Sequence, residues 1–180
     1  MYILNAEIIN KLLPACYKGD ERPFINGVLI RDINDEREYI ATNGHLLLKY
    51  TVKLDGEEEK LEKPVLLRLP CKLKYSKKNP FVNFYIKGDE GHIYGEKDNI
   101  LLNLCFELPE NLDRVIDSTA DYKEANTWKP CKPQYLQIIC DFFEIYALYA
   151  PKVSPWDDGD FKAIRWDLDN KMALLMPARL

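Results

Sequence analysis

The dipeptide Asn43-Gly44 constrains this chain more than any other pair of residues. It stands between two apolar segments, Glu38–Thr42 and His45–Leu54. Residues that tolerate positive φ between two such runs predict a hairpin with a two-residue type I′ turn. Upstream, FINGVLIRDI (24–33) is rich in β-branched and aromatic residues and reads as a strand that turns at Asn34-Asp35. Before it, Asn5 is a plausible N-cap with Glu7 in the first turn, and Ile8, Ile9, Leu12, Leu13 and Cys16 recur at helical spacing through Tyr17. Pro14 should kink or shorten this helix, and Gly19-Asp20 ends it. Residues 1–54 therefore read as a helix followed by three antiparallel strands.

The same order recurs downstream. After a charged connection, DGEEEKLEK (55–63), Pro64–Leu69 reads as a strand and PCKLKYSKKN as a short basic helix or turn. FVNFYIKGD, GHIYGE and ILLNLCFEL then form three more strands, turning at Asp89-Glu90 and Lys97-Asp98. Residues 108–133 have poor periodicity and read as a long connector. Pro133 suits a helix N1 position, and Leu136, Ile139, Cys140, Phe143 and Tyr146 line one face, widened by Ile138 and Phe142. FKAIRWDL and KMALLMPARL close the chain as a hairpin around Asp169-Asn170. The class is α+β, with antiparallel sheets carrying helices.

Composition narrows the functions open to such a fold. The net charge of −4 and pI near 5.3 argue against a broad basic DNA-binding face, though not against a local basic strip. The five cysteines are widely spaced with no CxxC pair, so a zinc site or disulfide framework is not expected. There is no membrane-length apolar run and no secretory start, which leads us to expect a cytoplasmic protein. No GxGxxG, GKS/GKT, GxSxG or HExxH occurs, and neither histidine, His45 or His92, has a nearby partner at ligand spacing. Acidic clusters such as Asp157-Asp158 lie in expected loops, and an enzyme would have to draw on carboxylates of that kind. No catalytic residue, metal or cofactor is expected.

Three separated segments resemble one family. Arg22–Ile30 resembles the R-x-x-L-N-G-hydrophobic strand of the bacterial sliding clamp, the β subunit of DNA polymerase III. Ala41–Leu47 resembles its A-T-D-G-H-R-L turn, and Leu175–Leu180 its terminal V-M-P-M-R-L. Leu108–Val115 is a looser match to the F-P-D-Y-R-R-V that leaves the family's middle domain, with one extra residue after the proline. By this resemblance, 1–116 correspond to a middle clamp domain and 133–180 to the second half of the third. Residues 117–132 form a connector, and the whole is a DNA clamp fold of helix-plus-meander modules.

The resemblance implies a non-catalytic processivity factor whose partners are double-stranded DNA, held without regard to sequence, and polymerase and clamp-loader subunits. It also implies a homo-oligomer located in the cytoplasm with the nucleoid. A peptide pocket would be walled by Thr42, Gly44, His45, Leu46 and Leu47 on one side and by Met176, Pro177, Ala178, Arg179 and Leu180 on the other. Pro109, Arg114 and Val115 would lie at its edge. Short peptides with a glutamine followed by aliphatic and aromatic residues would dock there. Leu46 replaces the family's arginine and Ala178 its second methionine, so peptide preference would differ. The DNA-facing lysines would be Lys11, Lys18, Lys72, Lys74, Lys77 and Lys78, which on their own describe a solvated face as readily. Asp141 and Glu144 do not suit phosphates, and an adaptor or competitor that never closes a ring is the alternative.

Overall fold

A computed structural model describes residues 1–16, 25–56, 58–95, 99–106, 111–125, 130–154 and 162–177. The chain opens with a strand, β1 (Tyr2–Asn5), that runs into α1 (Ala6–Leu12). Asn5 caps the helix as its sequence position suggests, its side-chain oxygen accepting from the amides of Glu7 at 3.0 Å and Ile8 at 3.1 Å. The helix does not reach Tyr17: it stops at Leu12 and tightens into a 3-10 turn, Leu13–Ala15, around Pro14. Proline cannot donate the bond that would continue the α-helix. Lys18, Gly19-Asp20 and Arg22–Phe24 lie outside the described residues.

The next strands form where the pattern placed them: β2 (Val28–Ile33), β3 (Glu36–Thr42), β4 (Leu46–Lys53) and β5 (Val65–Leu67). Gly27 is required at the β2 entry, because a Cβ there would stand 2.4 Å from the Leu67 carbonyl oxygen. β6 (Phe81–Lys87), β7 (Glu90–Tyr94) and β8 (Asn99–Asn103) follow. The β6–β7 turn is Gly88-Asp89, one residue earlier than expected, with Gly88 at φ 60°. The basic stretch before β6 forms no helix; it runs extended to a turn bridged between Ser76 and Asn79. The expected connector contains two elements, α2 (Leu112–Asp117) and β9 (Lys123–Glu124). Then come α3 (Pro133–Phe143), β10 (Lys152–Val153), β11 (Ile164–Leu168) and β12 (Lys171–Leu175). α3 ends short of Tyr146, because Glu144 takes a left-handed conformation, and Tyr146 is fully exposed.

Two sheets result. The smaller runs β1-β6-β7-β8 and the larger β5-β2-β3-β4-β12-β11-β10-β9. The larger sheet thus crosses from the N-terminal meander to the C-terminal hairpin without a break, through β4 and β12. One face, carrying Val28, Ile30, Tyr39, Leu48, Trp166 and Ala173, packs with α1, α3 and the inner face of the smaller sheet in the main core. The opposite face carries Leu29, Ile40, Leu47, Met172 and Leu174, and α2 covers it with Leu112 and Ile116. Strand alternation produces both faces from the same residues.

Each face also holds a buried arginine. On the core side Arg37, 2% exposed, forms a bidentate pair with Asp32, with Nε–Oδ1 and Nη2–Oδ2 both at 2.8 Å. Its remaining donors reach the carbonyls of Ile3 at 2.6 Å and Glu59 at 3.1 Å, while Asp32 accepts from the Leu61 amide at 2.7 Å. On the other side Arg31 donates to Glu38 at 2.7 Å and holds both oxygens of Asp113 on α2. Lys49 completes the row on Glu38 at 2.7 Å.

Removing one partner of a buried pair leaves a desolvated charge, at a cost of about 3–5 kcal/mol. Asp32→Ala should show that loss in urea unfolding, and the double change Arg37→Met with Asp32→Leu should recover most of it. A second expectation concerns acid. The hydrogen bond from Arg31 holds the Asp113 carboxyl below its ordinary 3.8. The resulting stability is complete above that ordinary value and disappears as pH falls through the lowered one. Unfolding followed between about pH 5 and pH 2 should therefore be flatter in Asp113→Asn. An identical profile would show that the pair adds nothing.

Candidate peptide-binding seam and basic segment

The seam begins with the β3–β4 turn. Asn43 does not adopt positive φ, and the turn is not the two-residue type I′ form; only Gly44, at φ 84°, is left-handed. The reason is local chemistry. The Asn43 side-chain oxygen accepts from the amides of His45 at 3.0 Å and Leu46 at 2.9 Å, and Thr42 Oγ1 accepts from Gly44 at 3.1 Å. These side-chain bonds close a three-residue loop and leave His45 exposed at its tip.

The β4–β12 ladder brings the chain's end to this turn. Leu46 pairs with Leu175, Leu47 with Leu174 and Leu48 with Ala173, in antiparallel register. One residue on, the Met176 amide donates to the His45 carbonyl at 2.8 Å. Met176 is 41% exposed, while Pro177 and Leu46 are buried. Thr42, Gly44, His45 and Leu46 are thus brought together with Met176 and Pro177. Leu47 points to the opposite side, under α2. Arg114 and Val115 lie on the exposed side of α2, while its Leu112 and Ile116 are turned inward. Pro109 and Ala178, Arg179 and Leu180 lie outside the described residues.

One neighbour was not foreseen. Tyr135, in the first turn of α3, stacks on the His45 ring with centroids 6.3 Å apart and planes 20° from parallel. Tyr135 precedes Leu136 and Ile139 on the helix, so its half-buried position could have been read from the α3 pattern; its partner could not. Met176 is thus an exposed methionine flanked in sequence by buried Leu175 and Pro177, and its amide is bonded to the residue that carries the stacked imidazole. A flexible, exposed methionine can adapt to apolar partners of different shape. Among the described residues, no group of three or more His, Cys, Asp or Glu side chains is arranged to hold a metal ion.

Lys11 is already engaged, bonded to Glu7 at 2.8 Å and to Glu144 at 2.9 Å. Burial pushes its ammonium pKa down, but the bonds to Glu7 and Glu144 outweigh burial and leave it raised. Glu144 also takes Lys171 at 2.9 Å, and these bonds hold its carboxyl below the ordinary value. Lys72, Lys74, Lys77 and Lys78 are exposed to solvent. Their segment is anchored by Asn10 of α1, whose amide nitrogen donates to the Leu73 carbonyl at 2.7 Å and whose oxygen accepts from the Leu73 amide at 2.8 Å. The buried Leu73 thus leaves its flanking lysines facing solvent. Among the described residues, no helix is long and apolar enough to cross a membrane.

No protein-family model and no curated protein sequence matches the chain. Solved structures do match it. The DNA polymerase sliding clamp from Bacillus subtilis superposes with a TM-score of 0.63 at 14% identity, covering 99% of this chain and 64% of the clamp. For the sliding clamp from Pseudomonas aeruginosa the TM-score is 0.61 at 12% identity, covering 99% and 66%. For the DNA polymerase III β subunit from Thermotoga maritima it is 0.59 at 12%, covering 99% and 65%. The chain spans less than two thirds of each of these proteins. Over nearly its whole length, this chain has the fold of the bacterial sliding clamp, the β subunit of DNA polymerase III.

Proposed function

We propose that this protein is a non-catalytic, clamp-like subunit that binds short linear peptides of replication proteins at the β4–β12 seam. It contacts duplex DNA through the basic segment before β6 and works as a homo-oligomer. Residues 1–116 and 133–180 act as two clamp-like modules that meet where β4 pairs with β12. The observation that carries this reading is the convergence of Thr42–Leu46 with Met176-Pro177 in a chain that folds as a sliding clamp. Tyr135 joins the wall from α3. Polymerase and clamp-loader subunits are the partners whose peptides, a glutamine followed by aliphatic and aromatic residues, suit this surface.

A second reading draws on a specific feature. The only described lysine on α1 is consumed by Glu7 and Glu144 within the chain, so the helix offers phosphates little net charge. A protein that holds clamp-binding peptides without encircling DNA, as an adaptor or a competitor of a clamp, would keep the seam and need no basic helix.

The seam is tested by fluorescence polarisation with a labelled peptide of that composition. Met176→Glu combined with His45→Ala should weaken binding at least about tenfold, a loss of about 1.4 kcal/mol, with circular dichroism unchanged. Unaltered affinity would remove the seam as the binding site. The basic segment is tested by replacing Lys72, Lys74, Lys77 and Lys78 with alanine. DNA binding should weaken for all sequences alike, and the slope of log K against log salt should drop by about 0.9 for each phosphate that is no longer neutralised. Peptide binding without any measurable DNA binding in the unaltered protein would favour the adaptor.

A further inference from the structure

The smaller sheet has a face that the core does not use. Phe84, Ile93 and Leu102 point inward and are buried. Strand alternation sends Ile3, Phe81, Tyr85, Tyr94 and Leu101 to the other face, where each is at least 39% exposed. The solvated face of an antiparallel sheet is ordinarily polar. A large exposed apolar patch marks a surface built to meet a partner.

The centre of this face is aromatic. Tyr85 on β6 stands opposite His92 on β7, and Tyr94 follows His92 two residues on. The His92 and Tyr94 rings have centroids 6.0 Å apart and planes 7° from parallel, and Tyr85 meets Tyr94 edge-on at 5.6 Å. An open depression of about 610 Å³ lies along the three rings, and Lys87 lines it with them. The register also sets an exposed amide on each side of Tyr94, whose two cross-strand neighbours are Asn83 on β6 and Asn99 on β8. Positive charge borders one end of the strip. After Tyr94 comes Gly95, where a Cβ would stand 3.8 Å from the Lys74 carbonyl oxygen. The segment with exposed Lys72, Lys74, Lys77 and Lys78 therefore runs past the Tyr94 end before it leads into Phe81. Glu90 stands at the far end, opposite Lys87.

Rings, amides and lysines set side by side answer the three parts of an unpaired nucleotide. A base of any identity offers its flat face to an aromatic ring, its edge can bond an amide, and its phosphate attracts a lysine. Four-stranded antiparallel sheets take single strands in this way, with about two or three bases on the central aromatics. A duplex cannot use the strip, because its bases are stacked on one another and show only their edges in the grooves. An acidic peptide would answer the lysines but not the row of rings flanked by amides.

We propose that the outer face of the smaller sheet is a platform for single-stranded nucleic acid, bound without regard to sequence. Bases stack on Tyr85, His92 and Tyr94, Asn83 and Asn99 meet their edges, and the phosphates follow the basic segment. The platform is separate from the β4–β12 seam and goes beyond the duplex contact described above, with which it shares only the lysines.

Fluorescence polarisation on the full chain, with a labelled single-stranded oligothymidylate and a duplex of equal length, tests this. Tyr85→Ala combined with Tyr94→Ala should weaken single-strand binding at least about tenfold. Duplex affinity, peptide affinity and circular dichroism should stay unchanged. Tyr85→Phe combined with Tyr94→Phe keeps both rings and should retain the single-strand affinity. No single-strand binding by the unaltered protein, an alanine pair that binds the strand as before, or a phenylalanine pair as weak as the alanine pair would overturn the proposal. An alanine pair that instead lowers the molar mass in light scattering, with single-strand affinity unmoved, would assign the face to contact between copies and overturn it as well. The seam is judged by peptide affinity and the duplex contact by the lysine replacements, so their failure is read separately from that of the platform.

Discussion

A guanidinium taken out of water must find acceptors for its donors, and this constraint organises the large sheet from both sides. Arg37 takes its acceptors from β2, from the carbonyl of Ile3 on β1 and from the Glu59 carbonyl in the charged connection. It therefore ties the smaller sheet's first strand and a surface loop to the β2–β3 hairpin. Arg31 does the corresponding work on the other face, where Glu38 and Asp113 bring α2 down over Leu47 and Leu174. Apolar burial supplies most of the driving force, but it is non-directional. The two arginines add direction, because a planar fork accepts only one arrangement of its partners.

That direction matters at the seam. β4 is held on one flank by β3, braced by the Arg37 and Arg31 networks, and on the other by β12. A peptide docking beside His45 and Met176 would meet backbone already fixed by the Asn43 bonds and the Met176–His45 bond. Among the described residues, little backbone freedom remains to be lost on that wall, and the side chains left to adjust are those of Met176, His45 and Tyr135. Rigid backbone under adaptable side chains is a combination suited to taking several related peptides in turn.

Much of this was legible in the residues. The Asn5 cap, the three-strand meander, the Pro133 helix and the terminal hairpin all rest on local chemistry, which a sequence displays directly. The misreadings share a cause. Tyr2–Asn5 was not read as a strand, and only pairing with Phe81–Phe84 makes it one. α2 has six residues, too few for a periodic signal, and depends on Arg31 and the apolar sheet face beneath it. Asn43 was expected to supply positive φ and instead supplied a side-chain acceptor, two uses of asparagine that a dipeptide cannot distinguish. The seam itself was suggested by family resemblance in two distant segments. Neither segment reveals alone that Leu46 will face Leu175, or that Tyr135 will stack on His45.

The strand order carries one more consequence. β12 is the last of the described strands, yet it occupies the middle of the larger sheet, with β4 on one side and β11 on the other. β9, β10 and β11 are synthesised earlier but have no sheet to join until β12 is in place. A growing chain can therefore assemble β2 to β5 around Arg37 first, while β9 to β11 reach the larger sheet only after β12 has been made. Until then the exposed edge of β4, with Leu46 to Leu48, is the surface most in need of protection from wrong partners.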